Sequence, residues 1–206
     1  MLPDRRSPAT SRRRTFLLSP AHCGGKRAKL LLSGSASFAL AQRLRQPAGA
    51  PIGEVFAFIS ELYFRGKLAY ASAFATSAFV ITPSRGLMSV ETPVTLDLLA
   101  EFAAVDVDLT DSRYRQPLEH TATQLAAASA GDFVLLGSIA TDKYVELLLT
   151  TLGERLYFPE TFVGRGDMSR GGVMLRAARS GEELTYVPIA GAMRRGGRPP
   201  RLPRLS

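Results

Sequence analysis

The run Phe133-Val134-Leu135-Leu136 is unbroken by any polar residue and lies between Asp132 and Gly137-Ser138. A strand with one wet face alternates apolar and polar side chains, because successive residues point to opposite sides. A run without alternation is apolar on both faces and has to be covered twice. At four residues it is too short for a helix, and glycine closes it. These facts select a sheet sandwiched between helical layers.

The rest of the chain fits that frame. Residues 15–19 form a β-rich run halted by Pro20, and residues 78–82 form another halted by Pro83. Shorter strands are expected at 155–158 and 184–188, while Leu30-Leu31-Leu32 reads as a strand or part of a turn. Helical spacing of apolar residues appears at 38–44, at 53–75 (Val55, Phe58, Ile59, Leu62, Leu68, Ala69), and at 95–104, 114–129, 141–152 and 169–179. Strands alternating with helices predict one three-layer α/β domain over 15–192, with a mostly parallel sheet of about four to five strands and helices on both faces.

The formal net charge is +8, but the charge is not spread evenly. Residues 1–14 hold five arginines and one acid, and residues 194–206 hold five arginines and no acid, so the remainder is close to neutral. Both ends, 1–14 and 193–206, read as disordered basic tails. Such tails bind phosphate backbones through counterion release, so a noncatalytic nucleic-acid binder is one expectation. The longest nearly apolar run, 68–81, has 14 residues and includes Ser72, Thr76 and Ser77. A membrane span needs about 20, so no membrane association is expected. Cys23 is the only cysteine, which excludes an internal disulfide and suits a reducing, cytoplasmic setting. One cysteine and two histidines at scattered positions give no metal-ligand spacing, and no motif calls for a cofactor.

Ligands of open α/β sheets bind beyond the carboxyl ends of the strands, so the segments after each strand carry the functional expectations. They are Pro20-Ala21-His22-Cys23-Gly24-Gly25-Lys26, Pro83-Ser84-Arg85-Gly86, Gly137-Ser138-Ile139-Ala140-Thr141-Asp142, and the segment from Gly164 to Gly172. Each combines glycine with a hydroxyl, a cation or both, as a loop wrapped around an anion requires. Gly24, Gly25, Lys26, Ser84, Arg85, Ser138, Thr141, Arg165, Ser169 and Arg170 are the candidate phosphate or nucleotide ligands, with Tyr63 as a stacking surface. Asp142 and Asp167 are candidate acids or bases. Cys23, flanked by His22 and followed by Lys26, Arg27 and Lys29, is a candidate nucleophile for a cysteine-dependent enzyme.

Leu17-Leu18-Ser19-Pro20-Ala21, Cys23-Gly24-Gly25-Lys26, the segment from Leu62 to Ala71 and the segment from Ile81 to Met88 resemble uncharacterised bacterial proteins related to the YaaA peroxide-stress family. More distantly they resemble uracil-DNA-glycosylase-like folds. Where YaaA-like proteins carry a lysine after the Ser-Pro-Ala turn, this chain has His22. The resemblance implies an α/β fold and a connection with nucleic acid or a nucleobase. The leading expectation is therefore a phosphate- or nucleotide-binding rim on an α/β protein that acts on nucleic acid or a nucleobase.

Overall fold

The computed structural model describes residues 14–200 and Leu202. In chain order the elements are β1 (Arg14–Leu18), α1 (Lys26–Leu32), α2 (Ala39–Leu44), β2 (Ala50–Pro51), α3 (Ile52–Phe74), β3 (Ser77–Thr82), β4 (Gly86–Ser89), β5 (Pro93–Val94), α4 (Leu96–Ala103), α5 (Ser112–Ala128), β6 (Asp132–Leu136), α6 (Asp142–Leu152), β7 (Leu156–Pro159), α7 (Asp167–Ser180) and β8 (Tyr186–Pro188). Six strands form one sheet in the order β4-β3-β1-β6-β7-β8, and β2 pairs with β5 in a separate ribbon. The four inner strands are parallel, while β4 and β8 close the edges antiparallel.

This is the three-layer α/β domain expected from the apolar runs, with more strands than expected. The extra main-sheet strand is β4, four residues that fold straight back from β3 through the Pro83-Ser84-Arg85 turn. Leu30 to Leu32 belongs to α1, with Leu31 buried and Leu30 exposed, so its apolar run is half a helix face.

The central strands occupy the middle of the sheet because their side chains are apolar on both faces. Phe16, Leu17, Leu18, Val80, Ile81, Phe133, Val134, Leu135 and Leu136 are all fully buried. The chain runs from β1 to its neighbour β3 by way of α3, and then crosses back by way of α5 to β6 on the other side of β1. Right-handed crossovers in opposite directions place their helices on opposite faces. Accordingly α3 packs on α7, and α5 packs on α6. The direction reverses between β1 and β6, which makes the gap beyond their carboxyl ends the topological switch point.

Helices α3 and α7 cross at two glycines. A Cβ at Gly66 would come within 2.6 Å of the Gly171 carbonyl oxygen, and one at Gly171 within 2.7 Å of the Leu62 carbonyl oxygen. Those obstacles are backbone, which no rotamer change relieves. The basic segment near the C-terminus is also held, in part. Arg194 pairs with Asp142 at 4.0 Å, and Arg165 Nη1 donates to the Pro200 carbonyl at 3.4 Å. Arg194 and Pro200, within the expected tail at 193–206, thus touch the domain. Residues 1–13 lie outside the described residues.

The crossing yields a direct test. Gly171→Ala forces two helix backbones apart and should cost about 1–3 kcal/mol, as overpacking of a tight contact does. Urea unfolding should show the loss as a lower midpoint with an unchanged slope. A midpoint equal to that of the parent chain would mean the helices do not meet this closely.

Candidate functional site

A cavity of about 310 Å³ opens at the switch point. Ser19, Pro20, Ala21 and His22 come to its wall from the end of β1, Ser138 and Thr141 from the end of β6, and Ser60 and Tyr63 from α3. Val107, Lys143, Tyr144 and Asp167 complete it. Each placement follows from a local requirement. Pro20 ends β1 and turns the chain out of the sheet. Gly24 and Gly25 then let the His22 ring fold back over them, with a Cβ at Gly25 falling only 3.1 Å from that ring. Thr141 caps α6 by accepting from the Lys143 amide at 3.3 Å, which fixes the Ser138 to Thr141 turn.

The floor of the site is a lysine. Lys67, on α3, is completely buried, and its Nζ donates to the Ser19 carbonyl at 3.0 Å and to Ser19 Oγ at 2.7 Å. Among the described residues it forms no ion pair. Nζ instead lies 3.8 Å from the centroid of the Tyr63 ring. Burial strips water from the ammonium and lowers its pKa from 10.5 to about 7. Asp167 opposes that shift and Arg170 adds to it. Lys67 thus stands behind Ser19, and Ser19 stands between the lysine and the cavity.

Three further groups tighten this arrangement. Gly137 gives Ser19 its room, since a Cβ there would approach Ser19 Cβ to 2.8 Å and the Tyr144 hydroxyl to 2.9 Å. The Tyr144 hydroxyl accepts from the Ser138 amide and donates to the Ser138 carbonyl, both at 3.0 Å. Burial pushes its pKa up to about 12, so it stays a neutral donor. The Tyr63 hydroxyl is buried beside the Arg170 guanidinium and, among the described residues, makes no hydrogen bond of good geometry. A buried polar group left without a well-formed bond is costly. Just before Tyr63, Glu61 adopts φ 47°, ψ −125° inside α3, a conformation costing about 1–3 kcal/mol in a residue with a side chain. Arg27 braces the kink, donating to the Phe58 carbonyl at 2.6 Å and pairing with Glu61 at 2.8 Å.

Of the residues singled out in the sequence, Tyr63, Ser138, Thr141 and Asp167 line this cavity. The expected convergence of four loops is corrected to three. Ser84 and Arg85 sit elsewhere, in a shallow depression with His120, because the 83–85 turn belongs to the β3-β4 hairpin and its polar groups are already used. The Ser84 hydroxyl and the Arg85 guanidinium both bond to Glu101, and the Arg85 amide bonds to Thr82 Oγ1. Lys26 is exposed on α1, and Asp142 borders a neighbouring groove. Arg165 bonds to the Thr161 carbonyl and to Ser169 Oγ. Arg170 is buried behind the wall, held by the Phe162 carbonyl at 3.4 Å and by Asp167 at 3.2 Å. Cys23 is buried and its thiol is pushed up to about 12 by loss of solvent, with Sγ donating to the Ala21 carbonyl. The basic neighbours expected to activate it do not offset that burial, so the thiolate is suppressed. Among the described residues no cluster of three metal-ligating side chains occurs, and no helix is long and apolar enough to cross a membrane.

Comparison with protein-family models, with curated proteins and with solved structures finds no match for this chain. The fold and the site define it as a doubly wound α/β protein with a polar cleft at the switch point and a buried lysine beneath it.

The lysine gives stability a distinctive pH dependence. Above about pH 7 the folded state holds Lys67 neutral, while the unfolded chain keeps that amine protonated up to about 10.5. The unfolded state binds more protons in this window, so stability rises with pH. Between pH 7 and pH 9, below the ionisation of unfolded tyrosines, the slope from this group approaches about 1.4 kcal/mol per pH unit. Denaturation at stepped pH should show that rise in the parent protein and its disappearance in Lys67→Met. An identical slope in both chains would contradict a neutralised lysine.

Proposed function

We propose that the switch-point cleft binds a small polar ligand of the nucleobase or nucleotide class. The observation that carries this reading is the convergence of hydroxyls, an imidazole, an ammonium and a carboxylate (Ser19, Ser138, Thr141, His22, Lys143, Asp167) from separate segments on one cavity. Its volume of about 310 Å³ lies at the lower end of the range for ligand sites, which suits a single base or nucleotide rather than a polymer. Its position is where doubly wound sheets hold such ligands, an argument by fold analogy. Lys143 and the amino end of α6 favour a negative group on one side. Arg85, Lys26 and Arg165 are not part of this reading, because none of them lines the cleft.

Isothermal titration with nucleobases, nucleosides, nucleoside monophosphates, inorganic phosphate and short single-stranded DNA tests it. At least one base or mononucleotide should bind with micromolar affinity, and the cavity-filling substitution Ser138→Tyr should weaken that binding at least tenfold. Silence from the small ligands across the panel would refute the reading. Binding by the oligonucleotide alone would move the function to the surface.

A further inference from the structure

We propose that Ser19 and Lys67 form a serine–lysine dyad that cleaves a carboxylic ester on an acylated hydroxyl of the ligand held in the switch-point cleft. The inference rests on the reading of that cleft as a ligand site and assigns it a reaction. Four observations carry it. Ser19 lines the cavity, and its Oγ is only 2.7 Å from Nζ of a lysine with no solvent-exposed surface of its own. Among the described residues Lys67 has no ion-pair partner to hold it as a permanent cation. Its other polar contact, to the Ser19 carbonyl at 3.0 Å, fixes the amine against the same residue. Finally, Gly137 leaves no side chain between the Ser19 hydroxyl and the Tyr144 hydroxyl, the one residue type that allows so close an approach.

A purely structural lysine would be better served by an acid, or by an apolar side chain of the same volume. Replacing a buried charge by a hydrophobe is often neutral or stabilising. An amine that is neutral near pH 7 and hydrogen-bonded to a hydroxyl is what serine activation needs, because only the free base accepts the proton.

The step balances as follows. Neutral Lys67 Nζ takes the Ser19 hydroxyl proton while Oγ attacks the ester carbonyl carbon, giving a tetrahedral oxyanion. The bond to the alkoxy leaving group breaks, and the leaving group takes the proton from the Lys67 ammonium. Water then attacks the seryl ester, with Lys67 accepting its proton. That proton returns to Ser19 Oγ as the bond from carbonyl carbon to Oγ breaks. One ester and one water become one carboxylic acid and one alcohol, with no oxidant or cofactor. The charged and titratable groups facing the dyad are Asp167 and Arg170 from α7, Tyr63 from α3, Tyr144 and Lys143 from α6, and His22 from the loop after β1.

The test uses the full chain with p-nitrophenyl acetate and with a fluorophosphonate probe, read by p-nitrophenol release and by peptide mass mapping. Label should fall on Ser19, and its rate should rise with pH around a midpoint near 7. Lys67→Met should lose about 10²- to 10⁴-fold in rate, the usual worth of a general base. The midpoint should stay in place in His22→Asn, which separates the lysine from the imidazole. Label on another residue, or a rate at Ser19 that is flat between pH 6 and 9 in the parent chain, would overturn the dyad even if Lys67→Met failed to fold. Labelling of Ser19 with a silent nucleotide panel would retain the dyad and reject the ligand class. Nucleotide binding without Ser19 labelling would do the reverse.

Discussion

A lysine buried with no ion-pair partner among the described residues is the constraint around which this end of the molecule is organised. Removing a charge from water costs several kcal/mol even after relaxation, so Lys67 survives at that position only because surrounding elements leave it no other. The crossing at Gly66 and Gly171 brings α3 and α7 to backbone contact one residue before Lys67. That contact presses the lysine stem onto the end of β1, where the Ser19 carbonyl and hydroxyl are the acceptors within reach. Were the helices separated by an ordinary side chain, Lys67 would have room to reach solvent and Ser19 would lose its partner.

Other unfavourable features gather at the same place. Gly66 and Gly171 stand inside helices, where glycine costs about 1 kcal/mol relative to alanine. Glu61 holds a backbone conformation suited to glycine, and the Tyr63 hydroxyl is buried without a well-formed hydrogen bond. Helix ends elsewhere obey local rules: caps at Thr95, Asp111 and Thr141 accept from helix amides, and Gly181 ends α7 in the left-handed conformation. Local rules broken together around the α3–α7 crossing are the pattern expected when a site rather than stability has shaped the residues.

The sheet was readable because its signal is local. Residues 133–136 are apolar on both faces, and proline or glycine marks the end of each central strand, so periodicity and breakers were enough. Strand β4 was not readable, since Gly86 to Ser89 carries four residues of mixed character and is defined by pairing with β3 rather than by pattern. The loops after β1 and β6 were legible as cavity-facing because strand ends at a switch point have few alternatives. Arg85 misled because its partner Glu101 lies 16 residues away, beyond any local rule. Lys67 was harder to recognise, because a lysine following Arg65 and Gly66 ordinarily faces solvent. It nevertheless stands four residues after Tyr63 and three before Tyr70, both buried, so helical spacing placed it on the covered face. The cation outweighed the periodicity in the reading, and the fold decided the other way.

Helix α7 contributes two charges of opposite sign near Lys67, and neither outweighs the loss of solvent that holds the amine near neutrality. The Arg170 side chain is 8% exposed and locked by the Phe162 carbonyl, so its repulsion acts through protein. The Asp167 side chain is 64% exposed, so water screens much of its attraction. Had the acid been buried and the arginine exposed, the lysine would have been held as a cation. With this order of burial the acid cannot restore what desolvation removes, and a proton at Lys67 is easily gained or lost beside the one hydroxyl that separates it from the cleft.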